Sequence, residues 1–213
     1  MAGSRREGIH GKNAGTVDAQ GFIAPSVGLV DHALYFTAAP DVLAKTRQVL
    51  DEGRLELPGA VIVWDETIGR RKGAKAVPGS WWATSGSVTM TLVFASDAVD
   101  GTSLRELAAD GVLAAIDSFT PDSPASYDGD GGFVLAGKHL GMIGHEVHGD
   151  AEILIVRVNA VTDFDKAPPA VRDGHSRLIE VIDESSLPLG KASTLPNQLS
   201  LAIMREVPAR LLA

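Results

Sequence analysis

The stretch Ala60–Phe94 decides the fold; it reads AVIVWDETIGRRKGAKAVPGSWWATSGSVTMTLVF. It opens and closes on short apolar runs rich in β-branched residues and bounded by turn formers, which predicts two strands. The segment between them is glycine-punctuated and carries Arg70, Arg71, Lys72 and Lys75. On a chain of net charge -8, this positive island favours binding of an anion such as phosphate or carboxylate. A solvated basic loop without a ligand is the alternative interpretation.

Length and composition limit the number of domains and the classes of partner. The 213 residues suffice for one domain with a substantial core and are short for two. We predict a flexible segment over residues 1–20 and a single domain over 21–213. The sequence has no run of about 18 apolar residues and no secretory signal, so we expect a cytoplasmic protein without a membrane partner. The acidic balance argues against a nucleic-acid partner.

The chain contains no cysteine. This excludes a disulfide framework, cysteine-ligated zinc and a cysteine nucleophile. The glycine pattern also lacks the G-x-G-x-x-G and G-x-x-x-x-G-K-[ST] signatures of common nucleotide-binding loops.

Outward from the opening stretch, hydrophobic periodicity predicts the remaining elements. We predict strands over Gly21–Val30, Asp31–Ala38, Gly59–Asp65, Val88–Ala95, Phe133–Leu135, His139–Val147 and Glu152–Asn159. We predict helices over Asp41–Glu52, Thr102–Phe119, Arg177–Ile182 and Pro196–Leu212, with loops over Thr120–Gly132 and Asp163–Gly174. Hairpins interspersed with a few helices predict an α+β fold, in which helices pack on a mixed, largely antiparallel sheet.

Several motifs in this order resemble the catalytic domain of biotin–protein ligases. In that family a strand ends in a T-x-G-R-G-R-type loop, matched here by Glu66–Gly73, and a tryptophan with a glycine spacer follows, matched by Trp82–Gly86. A later K-L-x-G-[IM]-x-x-E strand is similar to Lys138–Glu146. The next family strand ends in G-x-N; here it is Ile153–Asn159, with Arg157 where glycine is usual. The resemblance covers residues 41–212 and implies a biotin/lipoate ligase-like, class II synthetase-like domain.

The sequence departs from the family at two motifs. The basic loop is Gly-Arg-Arg-Lys-Gly rather than G-R-G-R-R-G. The family's K-W-P-N-D motif would fall on Ser126–Asp130, where Asp130 alone matches and the lysine is absent. Lipoate ligases, which are relatives, keep an essential lysine in a K-[IV]-x-G strand, and Lys138 matches that lysine. Octanoyl transferases, also relatives, use a cysteine that this chain does not have.

The resemblance implies that ATP and Mg²⁺ activate biotin or lipoate as an acyl-adenylate, and that the acyl group passes to a lysine of a biotinyl or lipoyl carrier domain. It assigns Lys138 and Arg70 as catalytic, because cationic groups stabilise the negative charge of both steps. Glu146 would place Mg²⁺. The residues expected to bind substrate or nucleotide are Thr67, Gly69, Arg71, Lys72, Gly73, Trp82, Asp130, Gly141 and Asn159.

Other interpretations stay open at this point. A catalytically silent relative that binds a ligand or partner protein fits the missing lysine, and a lipoate-type ligase fits Lys138. Arg157 is either salt-bridged or a phosphate ligand. Strand alternation places His139 and His145 on one face and His148 on the other, which argues against a three-histidine metal site.

Overall fold

Seven strands form one mixed sheet in a computed structural model that describes residues 29, 31–39, 41–64, 66, 86–101, 103–164, 167 and 169–212. They are β1 (Ala33–Phe36), β2 (Gly59–Val63), β3 (Ser87–Ala95), β4 (Ser126–Tyr127), β5 (Gly132–Leu135), β6 (Lys138–His148) and β7 (Ala151–Asn159). The spatial order is β1-β2-β3-β7-β6-β5-β4. Strands β1 and β2 are parallel and every other pair is antiparallel. The predicted α+β class with a largely antiparallel sheet is confirmed.

Four α-helices accompany the sheet in the described part of the chain. They are α1 (Val42–Asp51), α2 (Leu104–Asp117), α3 (Pro169–Gly174) and α4 (Leu195–Leu211), and 3-10 turns occupy Leu178–Glu180, Glu184–Ser186, Pro188–Gly190 and Ala192–Thr194. Asp41 begins α1 because its backbone is extended and its carboxylate accepts a hydrogen bond from the Leu43 amide at 2.8 Å. None of the helices described has the length and apolar composition that crossing a membrane would need.

The larger core lies between the sheet and helices α2 and α4. Alternate residues of β3 and β7 face it because strand side chains alternate between the two faces; these are Val88, Met90, Leu92, Phe94, Leu154, Val156 and Val158. Helix α4 approaches α2 closely at Gly111, where an added Cβ would lie 2.7 Å from the Cα of Val207. The glycine inside the predicted helix therefore serves helix packing.

Helix α1 covers the opposite face of the sheet. Val42 and Val49 pack there against Val61, Val63 and Ile153, together with other residues of β2, β3 and β7. Thr46 and Thr91 are buried in this layer and their hydroxyls are 2.7 Å apart. We call this face the α1 side of the sheet, and the other face the α2–α4 side.

The structure corrects three predicted elements. The predicted loop Thr120–Gly132 contains β4, the predicted loop Asp163–Gly174 contains α3, and only a 3-10 turn at Leu178–Glu180 forms within the predicted helix Arg177–Ile182. These elements are too short to show a hydrophobic period, so their conformation depends on tertiary packing. The predicted strand Gly21–Val30 lies outside the described residues except for Leu29.

Candidate functional site

Two residues of the candidate site lie on neighbouring strands. Gly141 on β6 is paired with Val158 on β7, so the next residue of β7, Asn159, is adjacent to it. A Cβ added at Gly141 would overlap the carbonyl oxygen of Arg157. Glycine at this position therefore permits the close approach of β6 to β7.

Asn159 belongs to a small polar cluster at the end of β7. It is paired with Ser87 on β3, and its side-chain oxygen accepts a hydrogen bond from the Thr162 hydroxyl at 3.5 Å. The hydroxyls of Thr162 and Ser87 are 2.8 Å apart and both residues are buried. The cluster orients the Asn159 amide on a rigid strand end.

Lys138 begins β6 directly after a two-residue hairpin turn. Ala136 and Gly137 both have positive φ, 51° and 77°, which is the type I′ geometry that joins antiparallel strands. The Lys138 residue is exposed, and its carbonyl oxygen accepts a hydrogen bond from the Ser176 hydroxyl at 3.4 Å. Because β6 and β7 are antiparallel, the start of β6 at Lys138 lies at the same end of the sheet as Asn159 at the end of β7.

Lys138 and Asn159 begin on different faces at that end. Lys138 is paired with Leu135, which belongs to the α2–α4 core, and cross-strand partners lie on the same face. Asn159 lies on the α1 side because it alternates with Val158, a member of the α2–α4 core. Lys138 has a four-carbon side chain and is the first residue of β6.

A β-bulge changes which histidines share a face. The pairing of β5 with β6 shifts between Phe133 and Val134, so β6 contains one extra residue there. His139 is paired with Val134 on the α1 side, whereas His145 is paired with Leu154 of the α2–α4 core. The prediction that these two histidines share a face is therefore wrong.

His139 contacts a histidine that the sequence patterns did not single out. Its ring lies 4.9 Å from the ring of His175, edge to face, and His175 Nδ1 donates to the Val171 carbonyl at 2.8 Å. Burial, and then the neighbouring His175, lower the pKa of His139 below its ordinary value of 6.5. Local sequence patterns cannot predict this contact, because His139 and His175 are 36 positions apart in the chain (175 minus 139).

Arg157 is held by an ion pair in the centre of the α1 side. Its Nη2 donates to Glu66 Oε1 at 2.9 Å and its Nε to Oε2 at 3.3 Å. Glu66 also accepts a hydrogen bond from the Val42 amide at 2.8 Å, at the start of α1. Asp41 lies 3.9 Å from Arg157 Nη2. Of the two interpretations left open by the sequence, the salt bridge is the one observed.

Glu146, expected to place Mg²⁺, contacts an arginine. Arg47 of α1 donates from Nε to Oε1 at 2.7 Å and from Nη2 to Oε2 at 2.5 Å, and the pair raises the pKa of Arg47. A carboxylate engaged by both its oxygens does not suit a Mg²⁺ ligand. No cluster of three or more histidine, aspartate or glutamate side chains suited to a metal occurs among the described residues.

Asp130 lies in the turn between β4 and β5. The turn is closed by its neighbour Asp128, whose Oδ1 accepts from the Gly132 and Asp130 amides at 2.8 Å each; these hydrogen bonds lower the pKa of Asp128. Asp130 itself is exposed. Gly132 pairs with Met142, which pairs with Arg157, so this turn lies about 10 Å, two strand spacings, from Arg157.

The remaining candidate residues lie outside the described residues. They are Thr67, Gly69, Arg70, Arg71, Lys72, Gly73 and Trp82. Glu66, which the sequence analysis placed at the head of the basic loop without a role, is the last described residue before them. An acidic residue between an apolar strand and a basic loop was the signal available in the sequence for the Arg157 partner.

The site is thus built on rigid strands. Four polar residues extend along β3 and β7 on the α1 side, and we call them the polar strip: Ser87, Thr89, Arg157 and Asn159.

Solved structures define the fold more narrowly. The chain is similar to biotin protein ligase from Aquifex aeolicus in complex with biotin and ATP, with a TM-score of 0.64, 13% identity, and coverage of 84% of this chain and 69% of that one. It is equally similar to biotin protein ligase from Leishmania major in complex with biotin, with a TM-score of 0.64, 14% identity, and coverage of 85% and 75%. A biotin protein ligase-like protein of unknown function from Silicibacter sp. gives a TM-score of 0.55, 11% identity, and coverage of 86% and 72%.

The chain therefore has the biotin protein ligase fold, as the motifs predicted. The sequence matches no protein-family model. It also matches no curated protein.

Proposed function

We propose that the protein is an ATP-dependent ligase that activates a small carboxylic acid and transfers it to a lysine of a carrier protein. The observation that supports this most is the adjacency of Gly141 and Asn159 on β6 and β7. These residues carry two separate motifs of the resemblance, and the fold brings them together at one end of the sheet. Lys138 begins the same strand three residues before Gly141.

In the first step a carboxylate oxygen attacks the α-phosphorus of ATP. The bond to the β-phosphate breaks and pyrophosphate leaves, giving an acyl-adenylate. The Lys138 ammonium would stabilise negative charge on the reacting oxygens, and the Asn159 amide would donate a hydrogen bond to the ligand. We assign nucleotide binding to Thr67, Gly69, Arg70, Arg71, Lys72 and Gly73, and a wall of the acyl site to Trp82.

In the second step the amine of the acceptor lysine attacks the acyl carbon. An amide forms, AMP leaves, and the amine loses a proton. A carrier domain presenting that lysine is the partner this reaction requires. We assign to Asp130 a hydrogen bond with the ureido group of the acid or with the adenine of ATP. Mg²⁺ would accompany ATP through its phosphate oxygens and retained waters rather than through Glu146.

Exchange of labelled pyrophosphate into ATP tests this proposal. Biotin, lipoate and octanoate are supplied in turn, since exchange requires an acid that the enzyme activates. If exchange occurs with lipoate or octanoate but not with biotin, the protein is a lipoate-type ligase that uses Lys138. We expect Lys138→Ala to lower exchange by about 10²-fold or more, without a change in Tm, because the side chain is exposed.

Lys191→Ala is the matched control, since Lys191 is also exposed and lies outside the candidate site. Equal exchange by the Lys138 and Lys191 variants would remove Lys138 from the mechanism.

The second candidate function is ligand or partner binding without catalysis. It is favoured by Ser126–Asp130, where the family lysine is missing and β4 and the Asp128 turn occupy the segment. This function is assigned if the folded protein binds one of the acids in calorimetry but supports pyrophosphate exchange with none of them.

A further inference from the structure

The segment that follows α3 is attached to the first two residues of β6. The pairing of β6 with β7 starts at Gly141, and before that point His139 forms a parallel bridge with His175. The Ser176 amide donates to the His139 carbonyl at 2.9 Å, and the Ser176 hydroxyl donates to the Lys138 carbonyl at 3.4 Å. Residues 175 and 176 therefore hold the backbone at the start of β6.

Two histidine rings face each other in this contact, and we call them the histidine pair: His139 and His175. Their ring centres are 4.9 Å apart at an interplanar angle of 80°, an arrangement in which the positive edge of one ring meets the negative face of the other. Both residues are half-buried, and the buried Phe164 ring lies 5.8 Å from that of His175. The arrangement suits neutral rings, because two imidazolium ions at this distance repel each other.

The surroundings of the histidine pair favour the neutral form of His139. Burial, and then His175, lower the pKa of His139, while Asp128 in the turn before β5 acts in the opposite direction without reversing the shift. Lys138, next to His139 in the chain, adds a further positive charge. The charged residues that flank His175 lie beside opposite charges: Arg172 beside Asp173, and Arg177 beside Glu180. Protonation of the histidine pair therefore opposes the attachment of residues 175 and 176.

The sign of the pH dependence follows from this preference. When the segment is released, each histidine returns to an ordinary pKa of about 6.5, so the released state takes up a proton first. Attachment is therefore at full strength above about pH 6.5, and it weakens as pH falls from that value toward the lower pKa of the attached state. Within that range one histidine changes the equilibrium by at most about 10-fold for each unit of pH.

We propose that the histidine pair makes the position of Lys138 depend on pH: the neutral rings hold residues 175 and 176 on the start of β6, and protonation releases them. His139 and His175 are positioning residues, which act through Ser176 and the Lys138 backbone. The effect on activity rests on the proposed ligase function, in which Lys138 contacts the acid. Release of the segment is a property of the fold and is measured separately.

Hydrogen exchange followed by mass spectrometry measures the release directly. Protection factors, which remove the intrinsic effect of pH on exchange, are determined at about pH 7.5 and about pH 5.5. We expect the protection of residues 171–177 to fall by about 3- to 10-fold at the lower pH. At both pH values these residues are expected to exchange faster than residues 153–158 of β7, because the segment opens without unfolding of the sheet.

The variant His139→Phe keeps an aromatic ring in the contact and cannot take up a proton. A proton on His175 would then meet the face of a phenyl ring, which attracts a cation. We expect the protection of residues 171–177 in this variant to differ by less than about 2-fold between the two pH values. If the variant fails to fold, His139→Gln, which also cannot be protonated, gives the second readout.

The matched control is His148→Phe. His148 lies on the same strand, but its Nε2 is 2.8 Å from Asp51 Oδ1, at the opposite end of β6. We expect the protection of residues 171–177 to keep its wild-type pH dependence in this variant.

Pyrophosphate exchange at the same two pH values tests the consequence for Lys138. The probe is biotin, or lipoate or octanoate where these support exchange and biotin does not. We expect the KM for the acid to rise by about 3-fold or more at about pH 5.5 in the wild type and in His148→Phe, and to rise less in His139→Phe. A merely structural role of His139 would change KM by the same factor at both pH values.

The outcomes separate the two proposals. Protection of residues 171–177 that is independent of pH in the wild type, or equally pH-dependent in His139→Phe, overturns the inference whatever the exchange assay shows. A pH dependence of protection that is lost in His139→Phe, with KM unchanged, overturns the positioning of Lys138. If no acid supports exchange, the ligase function is removed, and hydrogen exchange alone decides whether the histidine pair releases the segment.

Discussion

Two arginine–glutamate pairs lie on the α1 side of the sheet, and they differ in burial. In the Arg157–Glu66 pair the glutamate is 2% exposed and the arginine 21%. In the Arg47–Glu146 pair the corresponding values are 29% and 42%. Both pairs use two arginine nitrogens, so residue type and geometry are shared.

The two pairs also connect different numbers of elements. Glu146 joins β6 to α1 through Arg47. Glu66, three residues after the end of β2, is joined to β7 through Arg157 and to the start of α1 through the Val42 amide. Burial makes loss of a partner costly, because the remaining charge has no water to replace it. The same pair of residue types therefore connects two elements at one place and three elements at the other.

The largest expected effect is that of Glu66→Ala. It leaves the Val42 amide without its acceptor and Arg157 without the carboxylate that it contacts at 2.9 Å, so we expect the free energy of unfolding to fall by about 3 kcal/mol. Urea denaturation followed by circular dichroism measures the change. A loss no greater than that of Glu146→Ala would show that burial does not distinguish the pairs.

The next largest effect on stability is expected where β6 approaches β7 at Gly141. Gly141→Ala places a Cβ against the Arg157 carbonyl oxygen, and we expect a loss of about 1–3 kcal/mol in the free energy of unfolding. Gly144→Ala on the same strand is the control, since its Cβ would lie 3.4 Å from Ile155 Cδ1, an ordinary contact. Equal stability of the two variants would contradict the close approach of β6 and β7.

A smaller effect is expected for Glu146→Gln. Because the pair is partly exposed and screened by solvent, we expect Tm to change by no more than about 2 °C. Differential scanning calorimetry measures it. A larger decrease would mean that Arg47 and Glu146 organise the sheet as strongly as Arg157 and Glu66 do.

The smallest effect is a pH dependence of stability at the contact between His139 and His175. Burial and His175 lower the pKa of His139, so the unfolded chain takes up a proton there before the folded chain does. Stability is therefore present above about pH 6.5 and decreases as pH falls from that value toward the lower folded-state pKa. We expect His139→Gln to reduce the loss of stability between about pH 7.5 and about pH 5.5, measured by urea denaturation. An unchanged loss would contradict the assignment to His139.

Periodicity predicted most of the sheet, and the motifs supplied the candidate site residues. The strands Ser87–Ala95 and Ala151–Asn159 carry β-branched and apolar runs, the second broken by Arg157, and Asp41 with Gly53 marks the ends of α1. Family motifs singled out Lys138, Gly141 and Asn159, and the pairing of β6 with β7, which the sequence analysis did not predict, brings their strands together. Short pieces such as β4 and α3 gave no such pattern, since a few residues have no measurable period.

The bulge in β6 shows why the faces of side chains were harder to predict. One extra residue reverses the alternation, so it moved His139 to the face opposite His145. Within Lys138–Met142 the signal for a bulge is Gly141, because a glycine inside a strand often marks a bulge or a close approach of backbones, but it does not say which residue is the extra one. Similarly, Glu146 resembled a metal ligand until Arg47, 99 positions away, was found on both its oxygens.

The amino-acid sequence by itself determined the fold and the absence of cysteine chemistry, because side-chain periodicity, turn residues and composition act locally or over the whole chain. Tertiary structure alone decided which charges are neutralised. Glu66 and Arg157 are 91 positions apart, and their pairing depends on β2, β7 and α1 meeting in one place, where burial turns a weak attraction in water into a strong constraint.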